Sequence, residues 1–375
     1  PTPEQRLTEI RERRARNRAA NPPDPLRPVS THPLVAEIEQ WSPAQRAAHA
    51  KDETWVGTAG RQLKTRHFAH VAAALMVTAP PGVHQPAAAS RQARRVIADV
   101  LRSKEVAQRL LLSGTRVVII PADQKLTDLP EFASLAGTKT HVGQDWDMVR
   151  GVESRNGVIA VGEENLLGTT TRFGANADGY SVLTHELAHS VHRVLTTRPS
   201  GRLEDGDPLD GAAAVIGAAH SAGVRLDDSP HGPARRQRSD GTWTQPNYAI
   251  SNQEEFFAQL TNTWLGSNGG RDPFTGFPMR NDQQWVTQFA QRFTQTQVDG
   301  SETQQEIRRL ETEQRLVQRL VPLLTELYGP KRTPDLGPHN PREAVRQENE
   351  VWDAFRSLWD GPNGPDPGLL QGTTP

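Results

Sequence analysis

The chain contains no cysteine among its 375 residues. This absence excludes disulfide bonds, cysteine nucleophiles and metal sites built on thiolates. Any metal ion bound by this protein must therefore be held by histidine, aspartate or glutamate side chains. The absence does not fix the cellular compartment, because a secreted protein can also do without cysteine.

The sequence also lacks a large excess of charge and a long apolar run. The formal net charge is −1 at pH 7, which argues against a general electrostatic attraction to nucleic acid or to an anionic membrane. The longest apolar-rich stretch, around Val71–Val77, is too short to cross a bilayer. Hydrophobic residues make up 35% of the chain and charged residues 23%, which is typical of a soluble globular protein with a large core.

Apolar periodicity predicts a mainly helical first part of the chain, followed by two short strands. The patterns favour helices at Pro33–Gln40, Ala44–Ala50, Leu63–Val77 and Ser90–Leu112. The apolar runs Thr115–Pro121 and Gly157–Gly162 predict short strands. Between these runs, Leu126–Gly137 has the pattern of a helix that is capped by Asp128 and ended by glycine.

The remainder of the chain is predicted to alternate between loops and helices. Residues 197–247 are rich in Gly, Pro and Asp, which predicts a long irregular loop. Amphipathic patterns predict helices at Asn252–Leu265, Glu302–Tyr328 and Arg342–Trp359. Pro322 is expected to kink the second of these helices.

The sequence HELAH, which begins at His185, carries the strongest chemical signal. On a helix, four residues advance by about 400°, so His185 and His189 lie one turn apart on the same side. Two imidazoles at this spacing are predicted to bind one zinc ion. Glu186 lies about 100° round the helix, where it can take a proton from a zinc-activated water without binding the metal. Apolar residues on the opposite side of the helix predict a core face.

His192 also falls on the ligand side of this helix. It lies about 10.5 Å along the helix axis from His185, which is too far for both residues to bind one tetrahedral ion. We therefore expect His192 to support the ligands or to line the cleft. The residues after His189 lack the glycine and third histidine of a metzincin site, so the sequence argues against that class.

The third metal ligand is predicted in the segment Asn247–Leu260. Two helix starts are compatible with its sequence. Ser251 can cap the helix together with Glu254, which leaves Glu255 free to bind the metal. In the competing register, Asn252 caps the helix with Glu255 and leaves Glu254 as the ligand. The pattern favours Glu255.

HELAH together with the segment YAISNQEEFFA, which begins at Tyr248, resembles the catalytic domain of anthrax lethal factor and its relatives. These proteins are gluzincin peptidases that bind zinc through two histidines and one glutamate. The resemblance covers roughly residues 116–264, and the family glutamate falls on Glu255. It implies that Tyr248 donates a hydrogen bond to the oxyanion that develops during peptide hydrolysis. It gives no counterpart for the receptor-binding and kinase-recognition parts of the toxin.

The chain departs from the pattern of this family at Gln259. The family often has an acidic residue there, four positions after the ligand glutamate, where it orients a ligand histidine. The amide oxygen of Gln259 can still accept an imidazole N–H, but with less charge, and this predicts weaker support of the metal site. Glu163 and Glu164 are expected to close an edge strand beside the cleft. A structural role is favoured for them, and contact with substrate is the alternative.

These observations predict an α+β fold with a zincin-like catalytic domain between mainly helical ends. The catalytic domain would contain a small mixed sheet, the HELAH helix and the glutamate helix. The predicted segments are a basic tail and Pro-rich linker at 1–28, a helical region at 29–114, the catalytic domain at 115–300 and a helical region at 301–375. The chain begins at Pro1 rather than Met, and we expect a processed or trimmed form.

The predicted function is zinc-dependent hydrolysis of peptide bonds, with one catalytic Zn²⁺ and a peptide or protein substrate. We expect a secreted protein or one delivered to another cell, as toxins are. One alternative is a zinc-binding pseudoenzyme that uses the zincin scaffold as an interaction module. In another alternative, the basic N-terminal and Trp-bearing C-terminal helices dock a partner or act as a prosegment. The presence of both Glu186 and Tyr248 favours the enzyme.

Overall fold

The computed structural model describes residues 41–141, 143–175, 179–197, 209–233, 237–244, 246–272, 277–280, 283–295 and 300–329. The arginine-rich tail and the predicted helices Pro33–Gln40 and Arg342–Trp359 lie outside these residues. The described residues form two compact units. The α+β fold class with a small sheet is confirmed. The division into four segments stays a prediction.

The first unit comprises residues 41–149 and 154–163 of the described chain. Its core is apolar, and Phe68, Ile97 and Leu110 are completely buried in it. Its short 3-10 helices are Leu126–Asp128, Ala133–Leu135 and Trp146–Met148. Its α-helices are α1 (Pro43–Lys51), α2 (Glu53–Gln62), α3 (Thr65–Met76), α4 (Pro86–Val100) and α5 (Lys104–Leu112).

A four-stranded sheet has the strand order β1-β2-β4-β3. Its strands are β1 (Val77–Thr78), β2 (Arg116–Ile120), β3 (Gly151–Glu153) and β4 (Val158–Gly162). β2 pairs in parallel with β1 and with β4, in a register that sets Val118 opposite Ala160. Every residue of β4 is buried, which agrees with the continuous apolar run that predicted a strand here.

The second unit comprises residues 150–153 and 164–329 of the described chain. Helix α6 (Glu163–Leu167) begins at the boundary between the units. It contains two short antiparallel hairpins. One pairs β5 (Thr170–Thr171) with β6 (Gly174–Ala175), and the other pairs β7 (Asp228–Ser229) with β8 (Gly232–Pro233). The longer helices are α7 (Val182–Thr196), α8 (Ala212–Arg225), α9 (Gln253–Trp264), α10 (Gln283–Thr294), α11 (Gln304–Gln318) and α12 (Leu320–Tyr328).

Helices α7 and α9 pack against each other, and α8 packs against both. The approach of α8 to α9 is close at Gly223. A Cβ atom at that position would lie 3.0 Å from the ring of Phe256 and 3.0 Å from the carbonyl oxygen of Asp228. No helix among the described residues is long and apolar enough to cross a membrane.

Two predicted helices are broken in the structure. Ser90–Leu112 is divided into α4 and α5, because the Ser103 hydroxyl accepts the N–H of Val106 and starts a new helix. Glu302–Tyr328 is divided at Arg319, so the interruption expected from Pro322 is present, as a break three residues before the proline and not as a kink in one continuous helix. Pro322 lies in the first turn of α12, where its missing N–H leaves no helical hydrogen bond unmade.

Two further predictions from the sequence are wrong. Leu126–Gly137 does not form one helix but contains two 3-10 turns. The carboxylate of Asp128 accepts the N–H of Lys125 at 2.8 Å and does not cap a following helix. The predicted loop at 197–247 contains helix α8, which is 14 residues long and whose alanine-rich sequence has a high helix propensity.

Glu163 and Glu164 have the structural roles expected of them, although β4 is not an edge strand. The carboxylate of Glu163 accepts backbone N–H groups of His84, Gln85 and Ala122. Glu164 forms a bidentate pair with Arg150, with N–O distances of 2.7 and 2.8 Å. Buried carboxylates are retained in this way when donors compensate for their lost hydration.

Candidate metal centre

Helix α7 presents the HELAH residues from a well-fixed start. The Ser181 hydroxyl accepts the N–H of Thr184 at 3.2 Å, which caps the helix. The N–H of Ser181 itself donates to the carbonyl oxygen of Ser267 at 2.9 Å. Leu187 and Val191 are fully buried on the core face. The two histidines are consequently held on the opposite side of the helix, as the sequence predicted.

The N-cap of helix α9 is Asn252, whereas the sequence favoured Ser251. The Asn252 side chain accepts the N–H of Glu255 at 2.8 Å, so Asn252 rather than Ser251 is the N-cap. Capping uses only the backbone of Glu255, and its carboxylate stays free to face α7. From the sequence, capping by Asn252 was paired with Glu254 as the metal ligand. This pairing is wrong, because Glu254 is exposed and Glu255 faces α7.

The structure brings His185, His189 and Glu255 together as one group of three candidate ligands. Nε2 of His185 lies 3.1 Å from Nε2 of His189 and 3.1 Å from Oε2 of Glu255. The remaining side of this triangle, from His189 Nε2 to Glu255 Oε2, is 3.6 Å long. Ligand atoms on a tetrahedral zinc ion with bonds of about 2.0–2.1 Å are separated by about 3.3 Å. The triangle therefore fits zinc.

The hydrogen bonding of the three residues also fits a metal ion. Oε2 of Glu255, which faces both imidazoles, is buried, and no group outside the triangle donates a hydrogen bond to it among the described residues. Burial lowers the pKa of His185, but the hydrogen bond and charge of Glu255 raise it, and the net shift is upward. Burial raises the pKa of Glu255, whereas His185 and His189 lower it to about 2. Glu255 is thus ionised at neutral pH, as a metal ligand must be.

Tyr248 lies directly beside the third candidate ligand. It begins a short 3-10 helix, Tyr248–Ile250, in which Asn247 caps by accepting the N–H of Ala249 at 3.0 Å. The Tyr248 hydroxyl donates a hydrogen bond to Oε1 of Glu255. Burial and the negative charge of Glu255 both raise the pKa of Tyr248. Its hydroxyl therefore keeps its proton and stays a hydrogen-bond donor.

Gln259 supports His185 through the ring nitrogen that does not face the triangle. Its amide nitrogen lies 3.1 Å from Nδ1 of His185 and donates to the hydroxyl of Tyr180 at 2.9 Å. A half-turn of the amide exchanges its nitrogen and oxygen without moving other atoms. In that orientation the oxygen accepts the Nδ1–H that a metal-bound His185 carries. Tyr180 was not identified from the sequence, because nothing in the sequence links it to a residue so far along the chain.

Glu186 projects from α7 toward strand β3. Burial raises the pKa of Glu186 to about 7, although His185 lowers it. The backbone N–H of Glu153 donates a hydrogen bond to the Glu186 carboxylate. A carboxylate with a pKa near neutrality can both accept and return a proton, which is the property that a general base needs.

His192 is not part of the ligand triangle. Its ring lies against that of Phe257, with centroids 5.7 Å apart. Burial lowers the pKa of His192 to about 4, so the ring is neutral. This packing places His192 beside α9. A supporting or cleft-lining role for it stays a prediction.

His231 is a buried histidine that the sequence did not single out. It lies in the turn between β7 and β8, with Nδ1 3.2 Å from Oδ2 of Asp272. Burial lowers the pKa of His231 to about 3, with a further lowering from the charge of His185. The carbonyl of the adjacent Gly232 accepts from the side chain of Asn247, the cap that precedes Tyr248. No motif marks this turn, since its residues are common in loops.

Comparison with known proteins adds little to this geometry. No family model matches the chain, and no curated protein matches it. Among solved structures, the chain is similar to the Pro-Pro endopeptidase PPEP-2 from Paenibacillus alvei, with 21% identity and a TM-score of 0.33. The similarity covers 52% of this chain and 86% of that chain. A likeness at this level does not establish a common activity, and the resemblance to lethal factor stays a prediction.

Proposed function

We propose that the protein is a zinc-dependent peptidase in which His185, His189 and Glu255 bind one Zn²⁺. The convergence of these three ligand atoms next to Glu186 is the observation that carries the proposal. A set of two imidazoles and one carboxylate suits zinc and leaves a fourth position for reactants. Zinc in this position would supply a Lewis acid that polarises the scissile carbonyl and makes water more acidic.

The residues of the chain then have distinct parts in hydrolysis. Glu186 takes one proton from the attacking water as the new C–O bond forms. It returns that proton to the amine as the C–N bond breaks, so no proton is gained or lost by the enzyme. The Tyr248 hydroxyl donates to the oxygen of the former carbonyl, which gains negative charge in the transition state. Its present bond to Glu255 sets the hydroxyl beside the site.

The substitution Glu186→Gln tests this mechanism. It removes the base and keeps the size of the side chain. We expect turnover of a fluorogenic peptide mixture to fall by about a thousandfold or more, within the range for loss of general base catalysis. Zinc content should stay at that of the wild type, since Glu186 lies outside the ligand triangle.

Glu254→Gln is the matched control for this experiment. Glu254 is an exposed glutamate next to the candidate ligand, and its amide variant should retain both zinc and turnover. Unchanged activity in Glu186→Gln would contradict the mechanism. Zinc binding without any peptide hydrolysis by the wild type would favour the alternative of a binding module. Secretion or delivery to another cell is proposed only on the resemblance stated above.

A further inference from the structure

Strand β3 touches helix α7 at both of its ends. At the first end, a Cβ atom on Gly151 would lie 2.2 Å from Cγ1 of Val182 and 3.1 Å from Oε1 of Glu186. The backbone can run this close to α7 only because the residue is glycine. At the other end, the N–H of Glu153 donates to the Glu186 carboxylate. The candidate base thus lies against β3.

The side chain of Glu153 is attached to the same helix. Ser190 Oγ donates to Oε1 of Glu153 at 3.1 Å, and Arg193 pairs with that oxygen. Arg193 also donates to Ser190 Oγ at 3.2 Å, which closes a network of three side chains. We call this network the Glu153 staple. Ser190 is fully buried and Glu153 is largely shielded, so these donors replace water around the carboxylate.

We propose that the Glu153 staple positions the general base Glu186, a role that rests on the proposed peptidase function. The side chain of Glu153 fixes β3 to α7. The backbone N–H of the same residue then fixes the Glu186 carboxylate through a charge-assisted hydrogen bond, which is directional. Glu153 acts through Glu186 and has no role in binding the metal. A displacement of a catalytic group by about 1 Å can lower a rate by about a hundredfold, so this attachment affects turnover.

The substitution Glu153→Gln tests the staple through kinetics. It removes the charge that holds Arg193 and keeps the side-chain volume. We expect kcat on a fluorogenic peptide mixture to fall about tenfold or more, with KM within about twofold of the wild type. Zinc content should not change. Glu131→Gln is the matched control, because it breaks another Arg–Glu pair, with Arg116, and should keep the wild-type kcat.

Amide hydrogen exchange tests the same contact without any turnover. The N–H of Glu153 should be protected in the wild type. In Glu186→Ala it loses its acceptor, and its exchange should become about tenfold faster or more. Arg193→Gln should have a similar effect, because β3 is no longer held. Arg193→Lys keeps the positive charge and should restore part of the protection and part of kcat.

The outcomes separate the staple from the proposed peptidase function. Unchanged exchange at Glu153 in Glu186→Ala would overturn the positioning role, and so would full kcat in Glu153→Gln. A loss of kcat in proportion to lost zinc would also overturn it, since a general structural role would then suffice. If the wild type binds zinc and hydrolyses no peptide, the peptidase proposal fails. The exchange measurement alone then decides whether β3 holds Glu186.

Discussion

The hydroxyl of Tyr248 donates a hydrogen bond to one oxygen of Glu255, while the other oxygen faces Nε2 of His185 at 3.1 Å. The carboxylate is therefore shared between a candidate oxyanion donor and the candidate metal. This arrangement gives Tyr248 two separable roles. It can orient the ligand glutamate, and it can stabilise the transition state.

Replacement of Tyr248 by Phe distinguishes these two roles. If the hydroxyl stabilises the oxyanion, kcat should fall by about a hundredfold while zinc affinity stays within a few fold of the wild type. If it only orients Glu255, zinc affinity should fall and kcat per bound zinc should persist. Steady-state kinetics, together with zinc competition by a chromophoric chelator, measures both quantities. Equal kcat in the two proteins would contradict the oxyanion role.

Removal of the third ligand should release the metal. Glu255→Ala leaves only two imidazoles, so we expect zinc affinity to fall by more than about a hundredfold, beyond the usual effect of losing an outer hydrogen-bond partner. Elemental analysis of protein purified without added metal measures this loss. Glu254→Ala is the control and should retain about one zinc per chain. Zinc retained in Glu255→Ala would place the third ligand elsewhere.

Substitution of Gln259 tests whether its amide supports His185 as a metal ligand. Gln259→Glu introduces a charged acceptor beside Nδ1 of His185 and should raise zinc affinity by up to about tenfold. Gln259→Leu removes the acceptor and should lower zinc affinity by about 10–100-fold. Chelator competition at neutral pH gives both values. Identical affinities in the three proteins would mean that the amide does not support the ligand.

His231 should make the stability of the metal-free protein dependent on pH. Burial holds its folded pKa at about 3, below the ordinary value of 6.5. As the pH falls through 6.5, the unfolded chain therefore takes up a proton that the folded chain does not. Linkage predicts a loss of up to about 2 kcal/mol between about pH 7.5 and pH 5 from this residue, because the Asp272 carboxylate 3.2 Å from its ring opposes the effect of burial.

Urea unfolding of His231→Gln at the two pH values measures this contribution. The variant should lose less stability than the wild type on acidification, by up to about 2 kcal/mol. Comparing each protein with itself cancels the cost of the substitution at neutral pH. His84→Gln, at an exposed ring, serves as the control. An equal loss in wild type and His231→Gln would exclude the predicted titration.

The sequence predicted the parts of the site that depend on local spacing. The HELAH spacing is a property of one helix, so the convergence of His185 and His189 follows from helix geometry. Glu255 could be predicted as the third ligand only from the position of the helix start or from the family resemblance. The helix start was predicted wrongly, with Ser251 as the cap in place of Asn252. Asn252 and Ser251 are both good caps, and only the packing of α9 selects between them.

Contacts between distant segments could not be predicted from one sequence. Tyr180, Glu153 and His231 reach the site through folding of the chain, and none of them belongs to a recognisable motif. Helix α8 was missed for a related reason. Its glycines and the surrounding Gly- and Pro-rich segments obscured an alanine-rich helix whose burial stabilises it.

The close approach at Gly223 has a consequence for how the site tolerates change. A methyl group there would press on the ring of Phe256, the residue that follows the candidate ligand Glu255. A substitution at Gly223 would thus be transmitted to the candidate ligand Glu255 through the backbone of helix α9. Gly223 is therefore a position at which added side-chain volume is felt by a carboxylate that Gly223 never touches.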